Sequence, residues 1–452
     1  MIDNLPFADK TVAVLGLGRS GLAAAQALTA GDADVWAWDD NEEVRVRAEE
    51  AGVPLVDLKT CDWDRPKALV LSPGIPHTLP RPHPVVNLAR AASCVIISDI
   101  ELLLKAQPDA AYIGITGTNG KSTTTALLGH ILHAAGREAE IGGNLGVPAL
   151  ELKPLGAAGI YVLEMSSYQL ELTPSLKVEV AVLINISPDH LDRHGSMEGY
   201  IAVKESVFRH SAVAVIGIDD DHSRAIFERL KQNKERRVIP VSGSEIAAGG
   251  VYVIDGELYD DTEGAAAPVL SLKNISTLVG AHNRQNAAAA YAAARSVGVA
   301  PLTIAAAMRS YPGLAHRQEM IAAIDGVTYI NDSKATNPDA AAKALSCYNA
   351  IYWIAGGRPK EGGLEVLEEH FDRLRHAFLI GEAQDVFAEA FAGKVALTKS
   401  GDLAAAVRQA REAALAERLE NPVVLLSPAC SSFDQFRNFE ERGDAFRRLV
   451  LS

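Results

Sequence analysis

The run Tyr112-Ile113-Gly114-Ile115-Thr116-Gly117-Thr118-Asn119-Gly120-Lys121-Ser122 restricts the fold of this chain more than any other stretch. Tyr112, Ile113 and Ile115 read as a buried strand, and Leu127, Leu128, Ile131 and Leu132 give residues 122–135 the spacing of a helix face. The glycine-bracketed turn therefore lies between a strand and a helix N-terminus, where backbone N–H groups and the helix dipole converge on an anion. Gly117 and Gly120 let Thr118 and Asn119 turn inward, Lys121 can bridge phosphate oxygens, and Ser122 or Thr123 can ligate magnesium. These parts, in this order, make a candidate ATP-phosphate loop. The spacing departs from the common phosphate-loop word, which wants glycine at 115; here that place is Ile115, with Gly114 one position early.

A phosphate loop at a strand-to-helix junction needs parallel strands beside it, and the chain supplies them on both sides. Near the N-terminus an apolar run, Thr11–Leu15, leads into Gly16-Leu17-Gly18-Arg19-Ser20-Gly21, then an alanine-rich helix, then Asp34–Trp38 ending at Asp39. This is GxGxxG in a βαβ setting, with an acid about 20 residues on, and by itself it reads as a dinucleotide diphosphate site. The strand at 68–71 runs into Ser72-Pro73-Gly74, a turn of the kind that lines ligand crevices. After the phosphate loop, residues 160–163 deliver Glu164, and residues 180–186 deliver Asp189-His190-Leu191-Asp192-Arg193-His194. Carboxylates at such strand ends are where magnesium needs them. His190 and His194 could suggest zinc, but no third ligand shares their neighbourhood. Lys204, by pattern alone, is a solvated helix lysine. Asn283 and Asn286 share a face at a helix start, open either to capping or to contact with a base or phosphate.

Beyond Tyr311-Pro312-Gly313, strands at 327–330, 351–354, 378–380 and 423–426 alternate with helical stretches. Three of them run directly into polar loops at Asn331–Asn337, Gly356–Lys360 and Ser427–Phe433. Three such loops on one sheet describe a binding edge. The 452 residues suggest about three domains, with breaks near Pro108 and Pro312 giving residues 1–108, 109–312 and 313–452. The fold expected is α/β throughout.

Composition narrows the partners. A net charge of −14 with no basic block argues against nucleic acid or an anionic membrane surface. The start, MIDNLPFADK, has no apolar leader core, and nowhere do 18 uncharged apolar residues run together, so a soluble, non-exported protein is expected. Cys61, Cys94, Cys347 and Cys430 form no CxxC pair, which fits a reducing cytoplasm without disulfides or structural zinc.

Eight words stand along the chain: GTNGKST from Gly117, GGNLG from Gly142, LEMSSYQLE from Leu163, SPDHLDRH from Ser187, GAHNRQN from Gly280, HRQE from His316, NDSKATNPDA from Asn331 and SPACSSFDQFRNFEERG from Ser427. Through them the whole chain bears a resemblance to the Mur ligases of peptidoglycan synthesis, with D-glutamate the amino acid that the C-terminal words favour. The resemblance implies three domains: an N-terminal Rossmann-like domain, a central ATPase-like parallel sheet and a C-terminal Rossmann-like domain. The first would bind the UDP end of UDP-N-acetylmuramoyl-L-alanine through Gly16, Leu17, Gly18, Ser20, Asp39 and Ser72, with Asn144 on the muramoyl part, so no NAD is expected. Lys121 and Ser122 would hold ATP phosphates and magnesium, Glu164 and His190 would attend two Mg2+ ions, and Asn283, Asn286, Arg317 and Asp332 would hold the adenine nucleotide. Lys204 matches a lysine carbamylated by carbon dioxide. Thr336, Lys360, Ser432, Phe433 and Phe439, with Lys334 nearby, match positions that cradle D-glutamate. The loop before Lys360 departs from many relatives in carrying Arg358-Pro359. The resemblance implies an ADP-forming amide ligase working on small molecules as a monomer, and the alternative it leaves is a Mur-type or folylpolyglutamate-type ligase for another amino acid.

Overall fold

The computed structural model describes residues 2, 5–144, 146–233, 236–359 and 363–452; the expected site residue Lys360 lies outside them. The chain divides into two compact units, Met1–Ser271 with Asn283–Ser310, and Leu272–His282 with Tyr311–Ser452.

The first unit carries two sheets. β1 (Thr11–Leu15), β2 (Asp34–Trp38), β3 (Ala68–Leu71) and β4 (Val95–Ile97) form a parallel sheet in the order β2-β1-β3-β4. β5 (Ala111–Thr116), β6 (Ala139–Gly143), β7 (Ile160–Glu164), β8 (Val178–Leu183), β9 (Ser211–Gly217), β10 (Arg237–Ser242), β11 (Val251–Ile254), β12 (Glu257–Asp260) and β13 (Ala267–Ser271) form the second, ordered β13-β12-β11-β10-β9-β8-β5-β7-β6. Its strands are parallel from β6 across to β11, and β12 and β13 close the edge antiparallel. β11 and β12 are joined as a hairpin at Asp255-Gly256: both residues have positive φ, 50° and 78°, as a two-residue turn matched to strand twist requires. In both sheets the chain reverses its direction of travel beside the strand that carries the glycine loop. β1 lies between β2 and β3, and β5 between β7 and β8. Each loop thus opens into the crevice that a reversal of strand order creates.

Burial explains why these strands read as near-continuous apolar runs. β1, β3 and β7 are buried at every position, because helices cover both faces. A single apolar cluster includes Val12, Val14 and Val70 of the first sheet and Tyr161, Leu163 and Leu183 of the second.

The second unit holds β14 (Glu319–Ile324), β15 (Val327–Asn331), β16 (Ile351–Gly356), β17 (Leu374–Ile380), β18 (Leu397–Gly401) and β19 (Val423–Leu426), ordered β14-β15-β19-β16-β17-β18. Side chains alternate across it. Ile351, Trp353, Val423 and Leu425 pack on one face with Phe387 and Phe391, while Tyr352, Ile354, Val424 and Leu426 pack on the other with Val407 and Phe446. The sequence pattern missed β14 and β18, the two edge strands. β14 is apolar from Met320 to Ile324 but half-buried or exposed at every position, and it pairs antiparallel with β15. The three strands with polar loops, β15, β19 and β16, are consecutive in the sheet, so their loops share one edge.

Candidate active site

In the first unit the phosphate loop is held open by backbone conformations that side chains resist. Gly117 and Gly120 have φ of 154° and 83°, and a Cβ on Gly120 would lie 2.1 Å from Asn286 Oδ1. Asn185, just past β8, fixes the loop from below. Its carbonyl accepts from Thr118 N–H and its Oδ1 from Asn119 N–H, each at 2.9 Å. Thr118 Oγ1 donates to Ser187 O at 3.0 Å and lies 3.1 Å from Tyr200 OH. Lys121 Nζ folds over the turn onto the carbonyls of Gly117 and Thr118, at 3.0 and 2.9 Å. Ser122 is buried in the first helical turn and Thr123 half-buried beside it.

Asn283 and Asn286 stand inside the helix Ala281–Ser296, not at its cap, and Asn286 Nδ2 donates to Asn283 Oδ1 at 3.0 Å. The capping alternative is therefore set aside: the helix begins two residues before Asn283, and the pair forms a buried amide face beside Gly120.

Around this loop the acid and base groups converge. Glu164, 2% exposed at the end of β7, accepts from Asn144 Nδ2 on Oε1 at 2.8 Å, while its buried Oε2 has no hydrogen-bond partner. His190 adopts φ 52°, faces Asp189 at 3.4 Å and packs tilted against Tyr168, with centroids 5.1 Å apart. Burial lowers its pKa, with Asp189 opposing. His194 instead faces Glu171 and Ser167, and among the described residues no three His, Cys, Asp or Glu side chains converge as a metal cage.

Lys204 corrects the reading from pattern. It is 1% exposed, and Nζ donates to Thr116 Oγ1 and Gly117 O, both at 2.9 Å. Burial, reinforced by the charge of Lys121, pushes its pKa well below the usual lysine value, against the opposing pull of Asp189 and Glu164. Burial thus favours the uncharged form of this amine over the charged one. The helical pattern of residues 199–208 could not reveal this, because a lysine aimed inward and one aimed outward occupy the same kind of sequence.

A separate cavity of about 530 Å³ in this unit is lined by Gly16, Gly18, Ser20, Asp39, Ser72 and Asn144, together with Asp40 and His83. Six of the seven expected substrate-binding residues therefore share one space. Leu17 contributes its backbone only: its side chain is core, and its N–H donates to Asp39 Oδ2 at 2.7 Å. Asp39 Oδ1 accepts from Asn41 N–H at 2.9 Å, so this carboxylate also braces the glycine turn. Ser72 Oγ donates to Gly16 O at 2.8 Å. Asp40 was passed over in the sequence; hydrogen bonds from His83 and Lys59 lower its pKa to about 2.

In the second unit Asp332 follows β15 and is buried. Oδ2 accepts from Ser427 Oγ at 2.8 Å and Oδ1 from Gln318 N–H at 3.1 Å. Burial pushes its pKa up to about 7, while those hydrogen bonds and the charge of Arg317 act the other way. The native state thus keeps a proton that the unfolded chain gives up near pH 4. This contribution to stability is fully present below the unfolded value and is lost as pH rises through about 7. Asp332→Asn should flatten the fall in unfolding free energy between about pH 4 and 7, a difference of up to about 4 kcal/mol readable by denaturant titration. An unchanged pH slope would remove Asp332 as its source.

Lys334 Nζ lies 3.8 Å over the Phe439 ring, Thr336 is half-buried in the same loop, and Ser432 is buried with no partner for Oγ. Phe433, in contrast, is 63% exposed.

Comparison with known proteins places this geometry. Residues 115–294 match the Mur ligase middle domain, and residues 316–430 match the Mur ligase glutamate ligase domain. The chain is 53% identical to a UDP-N-acetylmuramoylalanine–D-glutamate ligase of Rhodospirillum rubrum, covering all of this chain and 96% of that one. It is 52% identical to the enzyme of the same name from Paramagnetospirillum magneticum, over 98% of this chain and 96% of the relative. Among solved structures, UDP-N-acetylmuramate-alanine ligase MurC of Thermotoga maritima superposes with a TM-score of 0.60 at 16% identity, over 98% of this chain and 99% of that one, a likeness of fold. Two family matches and full-length identity near one half leave a single assignment: this chain belongs to the Mur ligase family.

Proposed function

We infer that the protein is an ATP-dependent, ADP-forming ligase that joins D-glutamate to UDP-N-acetylmuramoyl-L-alanine in peptidoglycan precursor synthesis. The observation that carries the reading is full-length similarity, at 53% identity, to a ligase named for that reaction. The site residues support it. The cavity holding Gly16, Gly18, Ser20, Asp39, Ser72 and Asn144 suits the UDP-linked substrate, and Gly117 to Thr123 with Asn283 and Asn286 suit ATP. Arg317 and Asp332 would complete the nucleotide contacts. Lys334, Thr336, Ser432, Phe433 and Phe439, with Lys360, would receive D-glutamate. The division into residues 1–108, 109–312 and 313–452 is supported by one sheet in each.

In this reading the alanine carboxylate attacks the γ-phosphorus of ATP and ADP leaves, giving an acyl phosphate. The D-glutamate amine then attacks the acyl carbon and phosphate departs, with loss of the amine proton. Such chemistry asks for positioning and charge neutralisation more than for a covalent nucleophile. Mur ligases use ATP and Mg2+. The oxygen donors present, Ser122 and the unpartnered Glu164 Oε2, fit hard cations, and His190 would add a softer nitrogen. An amine is a poor magnesium ligand, so Lys204 would join them only after adding to carbon dioxide and releasing a proton, which leaves a carbamate anion. Two Mg2+ ions would be held, and bound metal would neutralise phosphate charge. Water-soluble substrates point to the cytoplasm, where the protein would act as a monomer; among the described residues no helix is long and apolar enough to cross a membrane.

The test is release of ADP and phosphate by the purified protein with ATP, magnesium and UDP-N-acetylmuramoyl-L-alanine, comparing D-glutamate with L-glutamate, D-aspartate and L-lysine. Release that requires D-glutamate, with the matching amide product, is expected. Release with another amino acid alone would overturn the assignment of the second-unit loops, and none at all would overturn the ligase reading.

A further inference from the structure

Arg442 is the only arginine among the described residues that is buried, at 1% exposure, and nothing in the reading above uses it. It sits in the helix Phe439–Leu451, one turn after Phe439. Its five N–H groups are all engaged, and every acceptor belongs to one of the three loops at the sheet edge. Nε donates to Ser333 Oγ at 3.0 Å and Nη2 to Ser333 O at 2.9 Å, after β15. Nη1 donates to Gly356 O at 3.5 Å, at the end of β16, and to Ser431 O at 3.3 Å. Nη2 also donates to Cys430 O at 3.1 Å, after β19.

Two features separate this from ordinary core packing. First, every acceptor is neutral, and among the described residues no carboxylate pairs with the guanidinium at ion-pair distance. Burial pulls its pKa down to about 10, which still leaves the charge in place at neutral pH. A buried cation without a counter-ion is costly unless an anion comes to it. Second, the loops it ties carry Lys334 and Ser432, and the buried Ser432 Oγ lacks a partner. Next to Arg442, Gly443 admits no side chain, because a Cβ there would lie 2.1 Å from His316 Nδ1. The helix is thereby held close against His316, and Asn331 at the end of β15 donates Nδ2 to Gly443 O at 3.2 Å.

We propose that Arg442 is the positioning residue of the amino-acid site: its planar fork locks the three strand-end loops into one surface, and its uncompensated charge beneath that surface favours a dicarboxylate amino acid. The proposal rests on the D-glutamate reading for the identity of that amino acid and adds the residue that shapes its site. Lysine keeps the charge but cannot span three loops, and methionine removes both charge and fork.

The experiment is steady-state kinetics of Arg442→Lys and Arg442→Met with each substrate varied in turn. KM for D-glutamate should rise at least about tenfold in Arg442→Lys and about a hundredfold in Arg442→Met, while KM for ATP and for the UDP substrate stays within about twofold. A general packing defect would move all three constants or only kcat. A wild-type KM for D-glutamate in Arg442→Met, or a parallel rise in all three, overturns the proposal. If Arg442→Met does not fold, Ser333→Ala removes the Nε acceptor more gently; a rise of about threefold confined to D-glutamate supports the clamp, and no change overturns it. Wild-type assays separate the two readings. Should another amino acid be the substrate, the same variants are tested on its KM, and a neutral side chain on that amino acid overturns the charge half of the proposal.

Discussion

Lys204→Met is expected to lower kcat by roughly 10²–10³ while leaving the protein folded. The side chain is 1% exposed, so methionine fills nearly the same space without leaving a buried charge. Two hydrogen bonds are lost, to Thr116 Oγ1 and Gly117 O, both at the base of the phosphate loop. Neither acceptor depends on Lys204 alone to hold the strand, because Thr116 Oγ1 also donates to Met165 O at 2.8 Å. Stability should therefore fall by only about 1–2 kcal/mol. The fall in turnover is expected to exceed that, because Nζ lies against the base of the phosphate loop and its burial disfavours the charged form that carbamylation would replace. ADP release by the folded variant, with ¹³C-labelled carbon dioxide and NMR on the wild type, checks both steps. Turnover within about threefold of wild type would remove Lys204 from the mechanism; full loss without a carbamate signal would keep the residue and discard the modification.

Gly120→Ala should raise KM for ATP and lower kcat/KM by roughly a hundredfold. The left-handed backbone costs a non-glycine residue about 1–2 kcal/mol, and the new methyl would lie 2.1 Å from Asn286 Oδ1. Asn286 is buried and paired with Asn283, so it can yield only by breaking that amide pair. The substitution thus disturbs the phosphate turn and the amide face behind it together. Gly264→Ala is the matched control: its φ is 80°, but nothing lies within 4 Å of the added Cβ. It should cost stability of similar size without changing the kinetics. Equal kinetic effects at both positions would show that backbone strain, not the contact with Asn286, is responsible.

Much of the architecture was legible because parallel sheets covered on both faces leave an unambiguous trace. β1, β3, β5, β7, β8, β15, β16 and β19 appear as short apolar runs ending in glycine or polar turns. Of the edge strands, β18 was missed because its positions are polar and half-exposed, whereas β14, apolar from Met320 to Ile324 and followed by the Asp325-Gly326 turn, carried a hairpin signal that was overlooked. Glycine loops were readable because only a few conformations let backbone N–H groups face a phosphate. The acids at the ends of β2 and β7 were likewise placed by their strands.

What the sequence could not supply was direction. Lys204 lies in a helix of ordinary composition, and nothing in its neighbours along the chain says that it turns toward Thr116 and Gly117. Asn185 and Tyr200 brace the phosphate loop from positions 66 and 82 residues away, and single polar residues at such separations have no pattern. Arg442 is the sharpest case, because in the sequence it is one charged residue among the charged neighbours Glu440, Glu441 and Asp444, with nothing to mark it as buried.

The amino-acid sequence by itself determined the α/β class, the two glycine loops and the order in which polar turns follow strands, because backbone conformation and burial are local demands that leave local marks. Only the tertiary structure decided which charges are buried, which amides face the phosphate turn, and that three distant loops meet on one guanidinium. Those facts depend on side-chain directions and on contacts across more than a hundred residues, where desolvation rather than local propensity sets the chemistry.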